Sequence, residues 1–336
     1  GLAFFLRLIV FPKYLSTEEL GLLTVMLDAA NLFTAFIPLG AKRIILRYLP
    51  FYENKVKGYE NLISILVTLT AIGLLLFLAI FAFFYKDITI YYSKDAPLLS
   101  GVVLLIVPLT IARVIYSLAA FYALAQKRNV FSNFLSEILI RFLTVAVVVF
   151  YAYAAFSITG LALLYVAAYF LIAFWMLAYS LKGAKLNFKF QKINPRHAVT
   201  KPIITFGLLS SLVNGATIIT KNVDSLMITS LMDLSSAGIY SIPFFIGMLI
   251  DVPKRAIAQI TAPFIAESLA KDNHSQIEVL YKKTSLNQLI IGSMTLLCVW
   301  ISIDELFELI PNGELYATGK IVVLIIGLSK IIDMAT

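Results

Sequence analysis

The chain has 336 residues, of which 60% are hydrophobic and 14% are charged, and its mean hydropathy is +0.92. A water-soluble domain of this size does not sustain such a composition, so the chain is predicted to fold in lipid. Its excess of Lys and Arg over Asp and Glu is typical of cytoplasmic loops in membrane proteins rather than of nucleic-acid binding. One cysteine and two histidines argue against disulfides, a metal site and His-based catalysis, and we expect no cofactor.

Apolar runs of about 20 residues predict transmembrane helices, because backbone polar groups in lipid must be hydrogen-bonded within their own segment. The first run, 1–11, and the last, 321–336, are expected to be parts of truncated helices. Complete spans are predicted at 20–39, 62–84, 98–122, 134–156, 158–181, 203–232, 237–252 and 286–309. The sequence therefore predicts an all-α polytopic membrane protein with about ten transmembrane helices.

Basic residues concentrate in every second connection between these spans, namely in 40–61, 123–133, 182–202 and 253–285. Lys and Arg stay on the cytoplasmic side during insertion, so these connections and the N-terminus are predicted to be cytoplasmic, with the protein in the inner membrane. The basic stretch 182–202 is the longest polar interruption between spans. It predicts a linker between an N-terminal helical bundle, 1–181, and a C-terminal helical bundle, 203–336.

Short similar segments occur on both sides of this linker, Tyr14-Leu-Ser-Thr-Glu-Glu-Leu-Gly21 and Leu231-Met-Asp-Leu-Ser-Ser-Ala-Gly238. Such repeats are common in transporters whose halves rock about a central site. The first segment, together with Asn222-Val-Asp224 and Ala237-Gly-Ile-Tyr240, resembles the polysaccharide-export, O-antigen-type flippases of the multidrug/oligosaccharidyl-lipid/polysaccharide (MOP) superfamily. The resemblance implies a fragment of a transporter with about 12 to 14 helices in two pseudo-repeated bundles.

Ionisable residues at bilayer depth are expensive, at about 2.5 to 3.5 kcal/mol each, and are therefore candidates for function. Arg113 lies well inside a span, five residues after the helix-kinking Pro108. We interpret it as a binding group for an anionic ligand, with an interhelical ion pair as the alternative. Asp28 and Asn31 are three residues apart and therefore share one helix face, where they line a cavity or pair with each other or an arginine.

Three further groups of charges lie in the predicted spans. Lys221 and Asp224, three residues apart, either line the cavity or neutralise each other. Arg7 either faces the cavity or extends to the membrane surface. Glu137 and Arg141, four residues apart, predict a local salt bridge. The substrate-binding candidates are Arg113, Arg7, Lys221 and Asn31, and the ion-coupling candidates are Asp28 and Asp224.

Together with the resemblance, these residues predict a flippase that moves a polyprenyl-diphosphate-linked oligosaccharide across the inner membrane by alternating access, for surface polysaccharide biosynthesis. Cationic side chains would receive the diphosphate while the lipid tail stays among the membrane lipids, and a proton or Na⁺ would drive transport. A drug/cation antiporter of the same superfamily is the alternative and needs mainly acidic cavity residues. A membrane-embedded glycosyltransferase or polymerase needs a larger extramembrane loop, so no enzymatic activity is expected.

Overall fold

The computed structural model describes residues 6–54, 56, 59, 61–154, 157–182, 199–254, 257, 261, 264–265, 268 and 273–335. Apart from turns and short connections, the secondary structure of these residues is helical, and they contain no β-strand. The predicted all-α polytopic class is therefore confirmed.

Eight helices in the described ranges are long and apolar enough to cross a membrane: Thr17–Phe36, Leu62–Lys94, Pro97–Ala125, Val130–Ala154, Ile158–Lys182, Thr200–Leu231, Leu234–Lys254 and His274–Ile301. Each overlaps one predicted complete span, so the order of the spans along the chain is confirmed. The last of them begins at His274 rather than at the predicted Leu286. Its polar first turns are helical because the side chain of Asn273 caps the N-terminus and accepts the N–H of Gln276.

The chain divides into two compact units, Gly1–Leu6 with Tyr14–Ala237, and Arg7–Lys13 with Gly238–Thr336. The first unit contains α1 (Thr17–Phe36), α2 (Ala41–Glu53), α3 (Leu62–Asp95), α4 (Ile106–Ala125), α5 (Ile140–Ala154), α6 (Ile158–Lys182) and α7 (Thr200–Leu231). Shorter helical segments, 97–105 and 130–139, precede α4 and α5. The predicted division at 182–202 stays a prediction, and 183–198 lie outside the described residues.

Helix α1 begins with a capping box and ends at a tight turn. The Ser16 hydroxyl accepts the Glu19 N–H at 3.2 Å, and the Glu19 carboxylate accepts the Ser16 N–H at 2.8 Å. Beyond Pro38 the chain turns at Gly40, whose φ is +82°. A Cβ at Gly40 would lie 1.8 Å from the carbonyl oxygen of Gly207 on α7, so the turn requires glycine. This turn fixes the end of α1 directly against α7.

Helix α2 occupies a connection that hydropathy alone presents as a loop. Its buried residues include Ile44, Ile45, Tyr48 and Leu49, which form one apolar face. This face packs with α3 in a common hydrophobic cluster and lies against α4. The amphipathic helix α2 thus follows α1 closely, and the polar residues of α2 lie near the end of α1.

Packing in the first unit centres on α4, which contacts α1, α2 and α6. Helix α7 packs mainly on α1. Side chains from α1, α4 and α7 therefore meet inside this unit, and this is where the candidate site lies.

The second unit contains most of α8 (Leu234–Gly247), a 3₁₀ turn (Met248–Asp251), α9 (His274–Ile301) and α10 (Lys320–Ala335). Ile250, Leu296 and Met334 form a small core between them. Two short helices, Ile303–Glu308 and Gly313–Ala317, connect α9 to α10. The Asn312 side chain donates to the Pro12 carbonyl at 3.1 Å and so fixes this connection to the segment before α1.

Candidate functional site

The side chain of Asn31 joins three helices of the first unit. Its Nδ2 donates a hydrogen bond to Oδ1 of Asn222 on α7 at 3.3 Å. Its Oδ1 accepts a hydrogen bond from Nη2 of Arg113 on α4. One amide in the middle of α1 therefore fixes the position of the arginine and of the neighbouring helix.

Asp28 lies one turn before Asn31 on the same face of α1. Its Oδ2 accepts a hydrogen bond from the Ser225 hydroxyl of α7 at 2.5 Å. Asn222 and Ser225 are three residues apart, so both face α1. Sequence reasoning did not single out these two residues as contacts. Their spacing within an apolar span, matching that of Asp28 and Asn31, is the signal that identifies them.

Arg113 carries its positive charge to the centre of this cluster. Its guanidinium carbon lies 5.6 Å from the ring centre of Tyr169 on α6, within the range of a cation–π contact. Its hydrogen bond goes to a neutral amide, which leaves the charge uncompensated at that contact. Its Nε is buried and has no hydrogen-bond partner within the described part of the chain. Such an arginine is suited to oxygen atoms of an anionic ligand.

Lys42, near the start of α2, adds a second cation to the same region. Its Nζ donates to the backbone carbonyl of Thr34 at 2.9 Å. Burial and, to a smaller extent, the nearby charge of Arg113 together lower the pKa of Lys42 from 10.5 to about 8. In the sequence this lysine is one of the basic residues of the connection 40–61, and hydropathy does not predict the helix that places it beside the site.

The remaining candidates are Lys221, Asp224 and Arg7. Lys221 is exposed on α7 and Asp224 is half-buried, whereas the hydrogen bonds from α7 to Asn31 and Asp28 come from other residues of that helix. Arg7 belongs to the second unit, where its guanidinium carbon lies 5.5 Å from the ring centre of Phe245. Of the six predicted residues, the structure places Arg113, Asn31 and Asp28 in one cluster.

The predicted local salt bridge is present between Glu137 and Arg141. Nη2 of Arg141 lies 2.6 Å from Oε2 of Glu137, whose side chain is 66% exposed. This arginine is therefore paired with a carboxylate of its own segment, which distinguishes it from Arg113.

Comparisons with known proteins place the chain in a family. Residues 1–269 match the model of the family described as polysaccharide biosynthesis protein. No curated protein matches the chain. Among solved structures, the chain is similar to a multidrug resistance MATE family transporter of the MOP superfamily in an inward-facing conformation. The TM-score is 0.70 at 15% identity, and the match covers 99% of this chain and 80% of that chain.

Two further structures show the same fold. One is described as MATE in the bent conformation, with a TM-score of 0.55, 14% identity, and coverage of 100% of this chain and 79% of that chain. The other is a multidrug resistance MATE family transporter in an outward-facing conformation, with a TM-score of 0.54, 15% identity, and coverage of 99% and 78%.

The fold is therefore that of these MATE transporters, with two pseudo-repeated bundles, as the sequence predicted. The family match extends over most of the sequence, and the chain belongs to the polysaccharide biosynthesis protein family. Family and fold together define a multi-pass membrane transporter.

Proposed function

We propose that this transporter moves a polyprenyl-diphosphate-linked oligosaccharide across the inner membrane, for surface polysaccharide biosynthesis, by alternating access. One observation carries the proposal: Arg113 and Lys42 lie close enough together for the charge of one to lower the pKa of the other, and Arg113 donates to an amide instead of a carboxylate. Two neighbouring cations, Arg113 within a span and Lys42 just beyond one, are suited to a ligand with more than one negative charge. A diphosphate is such a ligand, and the family description points to polysaccharide as its cargo.

The energetic argument rests on the low dielectric of the site. Two like charges destabilise each other there, and an anion between them reverses the sign of the interaction. At an effective dielectric constant of about 20, two opposite unit charges 4 Å apart attract each other by about 4 kcal/mol. Asn31 holds the arginine in place, while Arg7 and Lys221 are further cations that the headgroup contacts during transport. The lipid tail remains among the membrane lipids, and no covalent step takes place.

Asp28 and Asp224 are the proposed carriers of the coupling ion, a proton or Na⁺. Both are carboxylates within helices that cross the membrane. In the proposed orientation the N-terminus and the basic connections face the cytoplasm, because Lys and Arg resist translocation.

Arg113→Gln in the full chain tests the proposal. Glutamine keeps a polar side chain with N–H donors but removes the charge, so it changes the packing of α1 against α4 less than alanine would. We expect translocation of a labelled lipid-linked oligosaccharide in proteoliposomes to fall at least tenfold, the equivalent of about 1.4 kcal/mol. Arg141→Gln is the matched control, because Arg141 is paired with Glu137, and its transport should stay within about twofold of wild type. Equal transport by the two variants would contradict the proposed role of Arg113.

A drug/cation antiporter is the second candidate, favoured by the multidrug transporters among the similar structures and by the carboxylate of Asp28 in the cluster. The two functions respond in opposite ways to the same pair of variants. An antiporter for cations loses dye efflux in Asp28→Asn and retains it in Arg113→Gln. An oligosaccharide flippase shows no dye efflux in either variant and loses translocation in Arg113→Gln.

A further inference from the structure

An apolar groove of about 400 Å³ opens on the first unit between α2, α3, α4 and α6. Along α3 its wall consists of Ile63, Leu66, Val67, Thr70, Ala71 and Leu74. These residues follow one another at helical spacing, so they form a continuous strip on one face of α3. The groove is separate from the cluster of Arg113, which the proposed transport function uses.

The few polar atoms in the groove are already satisfied. The hydroxyl of Thr70 donates to a backbone carbonyl of its own helix at 2.9 Å, and that of Ser180 donates to a backbone carbonyl of α4 at 3.0 Å. The Tyr122 hydroxyl accepts a hydrogen bond at 2.8 Å. A mainly apolar occupant therefore fits this groove best, since a polar one would find few partners.

The groove has the length of one membrane leaflet. From Ile63 to Leu74 the rise along α3 is about 16 Å at 1.5 Å per residue, and half of a hydrocarbon core is about 15 Å. The strip begins where α3 begins, at the end of the unit that carries the basic connections. Val67 and Leu181 are 41% and 45% exposed, so the groove is open sideways to the membrane. Its dimensions suit one acyl chain and are too short for a long isoprenoid chain.

Charged residues lie near the same end of the groove, next to residues that line it. Nε2 of Gln126, just after α4, donates to the Glu53 carboxylate at 2.9 Å and to the Tyr122 hydroxyl at 2.8 Å. The carboxylate is thus held beside a residue that lines the groove. The guanidinium carbon of Arg128 lies 4.5 Å from the ring centre of Tyr179 on α6, and Lys182 ends that helix next to Leu181 of the groove lining. A carboxylate attracts an ammonium group, and the two basic residues attract a phosphate.

We propose that this groove binds a phospholipid with a primary ammonium headgroup, such as phosphatidylethanolamine, from the leaflet at the basic end. One acyl chain fills the strip on α3, the ammonium lies against Glu53, and the phosphate lies toward Arg128 and Lys182. This lipid is a resident component and is distinct from the transported lipid, so the proposal does not depend on the cargo.

Native mass spectrometry of the full chain, delipidated and then titrated with phosphatidylethanolamine or phosphatidylglycerol, tests the site. Ala71→Trp fills the groove and should abolish the preferential retention of phosphatidylethanolamine. Ile72→Trp places the same ring on the neighbouring exposed position outside the lining and should leave retention at the wild-type level. Glu53→Gln should reduce the preference for the ammonium lipid about fivefold, the equivalent of about 1 kcal/mol for one interfacial charge. Equal retention by Ala71→Trp and Ile72→Trp would overturn the proposal.

Photo-crosslinking tests the wild-type protein, so the proposal stays open to refutation even if Ala71→Trp fails to fold. Phosphatidylethanolamine with a diazirine in its acyl chain should label peptides that contain residues 63–74 and 177–181. Labelling spread evenly over other exposed apolar helices, such as 140–154, would show that the groove holds no resident lipid. Labelling of the groove by a polyprenyl phosphate probe and not by phosphatidylethanolamine would assign it to the substrate and overturn the proposal.

Discussion

Binding and transport of the diphosphate ligand should weaken as the pH is raised through about 8, because Lys42 loses its charge in this range. Lys42 lies on α2, outside the eight membrane-crossing helices. With a pKa of about 8, about nine-tenths of the lysines are charged at pH 7 and about one-tenth at pH 9. A lysine with its ordinary pKa of 10.5 would stay charged over the whole interval.

The charge of Arg113 contributes to this low pKa, although burial is the larger cause. Arg113→Gln should therefore raise the pKa of Lys42 above 8 while leaving it below 10.5. The charged form of Lys42 is disfavoured in the folded protein, so this residue costs stability below pH 8. That cost is relieved between pH 8 and 10.5, where the unfolded chain binds the extra proton, and it amounts to roughly 3 kcal/mol for a shift of this size.

Competitive acylation measured by mass spectrometry reports the pKa of Lys42, because only the neutral amine reacts. The reactivity of Lys42 should reach half its maximum near pH 8 in wild type and at a higher pH in Arg113→Gln. Ligand binding by Lys42→Gln should lose the pH dependence between 7 and 9 that the wild type shows. A midpoint near 10.5 in the wild type, or an unchanged midpoint in Arg113→Gln, would refute the placement of these two cations beside each other.

Two further predictions concern the packing around the site. Gly40→Ala should lower the melting temperature strongly, since a Cβ there would lie 1.8 Å from the Gly207 carbonyl oxygen at a φ of +82°. The control is Gly101→Ala, which should have little effect because no atom lies within 4 Å of the added Cβ. Similar melting temperatures for the two variants would contradict the close approach of Gly40 to Gly207. Asn31→Leu should lower the free energy of unfolding by about 1 to 3 kcal/mol, because it leaves polar partners without hydrogen bonds. The change should appear as a lower midpoint of denaturant unfolding. An unchanged midpoint would mean that the amide does not hold Arg113.

Most of the membrane-crossing fold could be predicted from the sequence, because lipid imposes a single rule on every span: about 20 apolar residues with internal hydrogen bonds. The rule makes no prediction for helices that lie outside the hydrocarbon core. Helix α2 was missed for this reason, although its buried residues Ile44, Ile45, Tyr48 and Leu49 repeat at helical spacing. The polar start of α9 at His274 was not predicted for the same reason, since hydropathy identifies only the part of a helix that contacts lipid.

Within the site, the sequence was informative about which residues are unusual and uninformative about their partners. Arg113, Asp28 and Asn31 are identifiable because polar groups in a span are expensive. The partner of each is on another helix, far away in sequence, and no local spacing predicts such a contact. Lys42 shows the opposite difficulty, because a lysine just after a span is ordinary in sequence, and only the position of α2 makes it part of the cluster.

The hydrogen bonds around Asn31 all run the same way. Arg113 donates to Asn31, Asn31 donates to Asn222, and Asn222 donates to the carbonyl of Ile218 at 2.8 Å. Neither amide can rotate by 180° without setting two donors against each other, so each link polarises the next and fixes its orientation. A ligand that draws the arginine away removes the first donor of this chain of hydrogen bonds. The hydrogen bonds of Asn222 on α7 then lose polarisation, even if the backbone of α7 does not move.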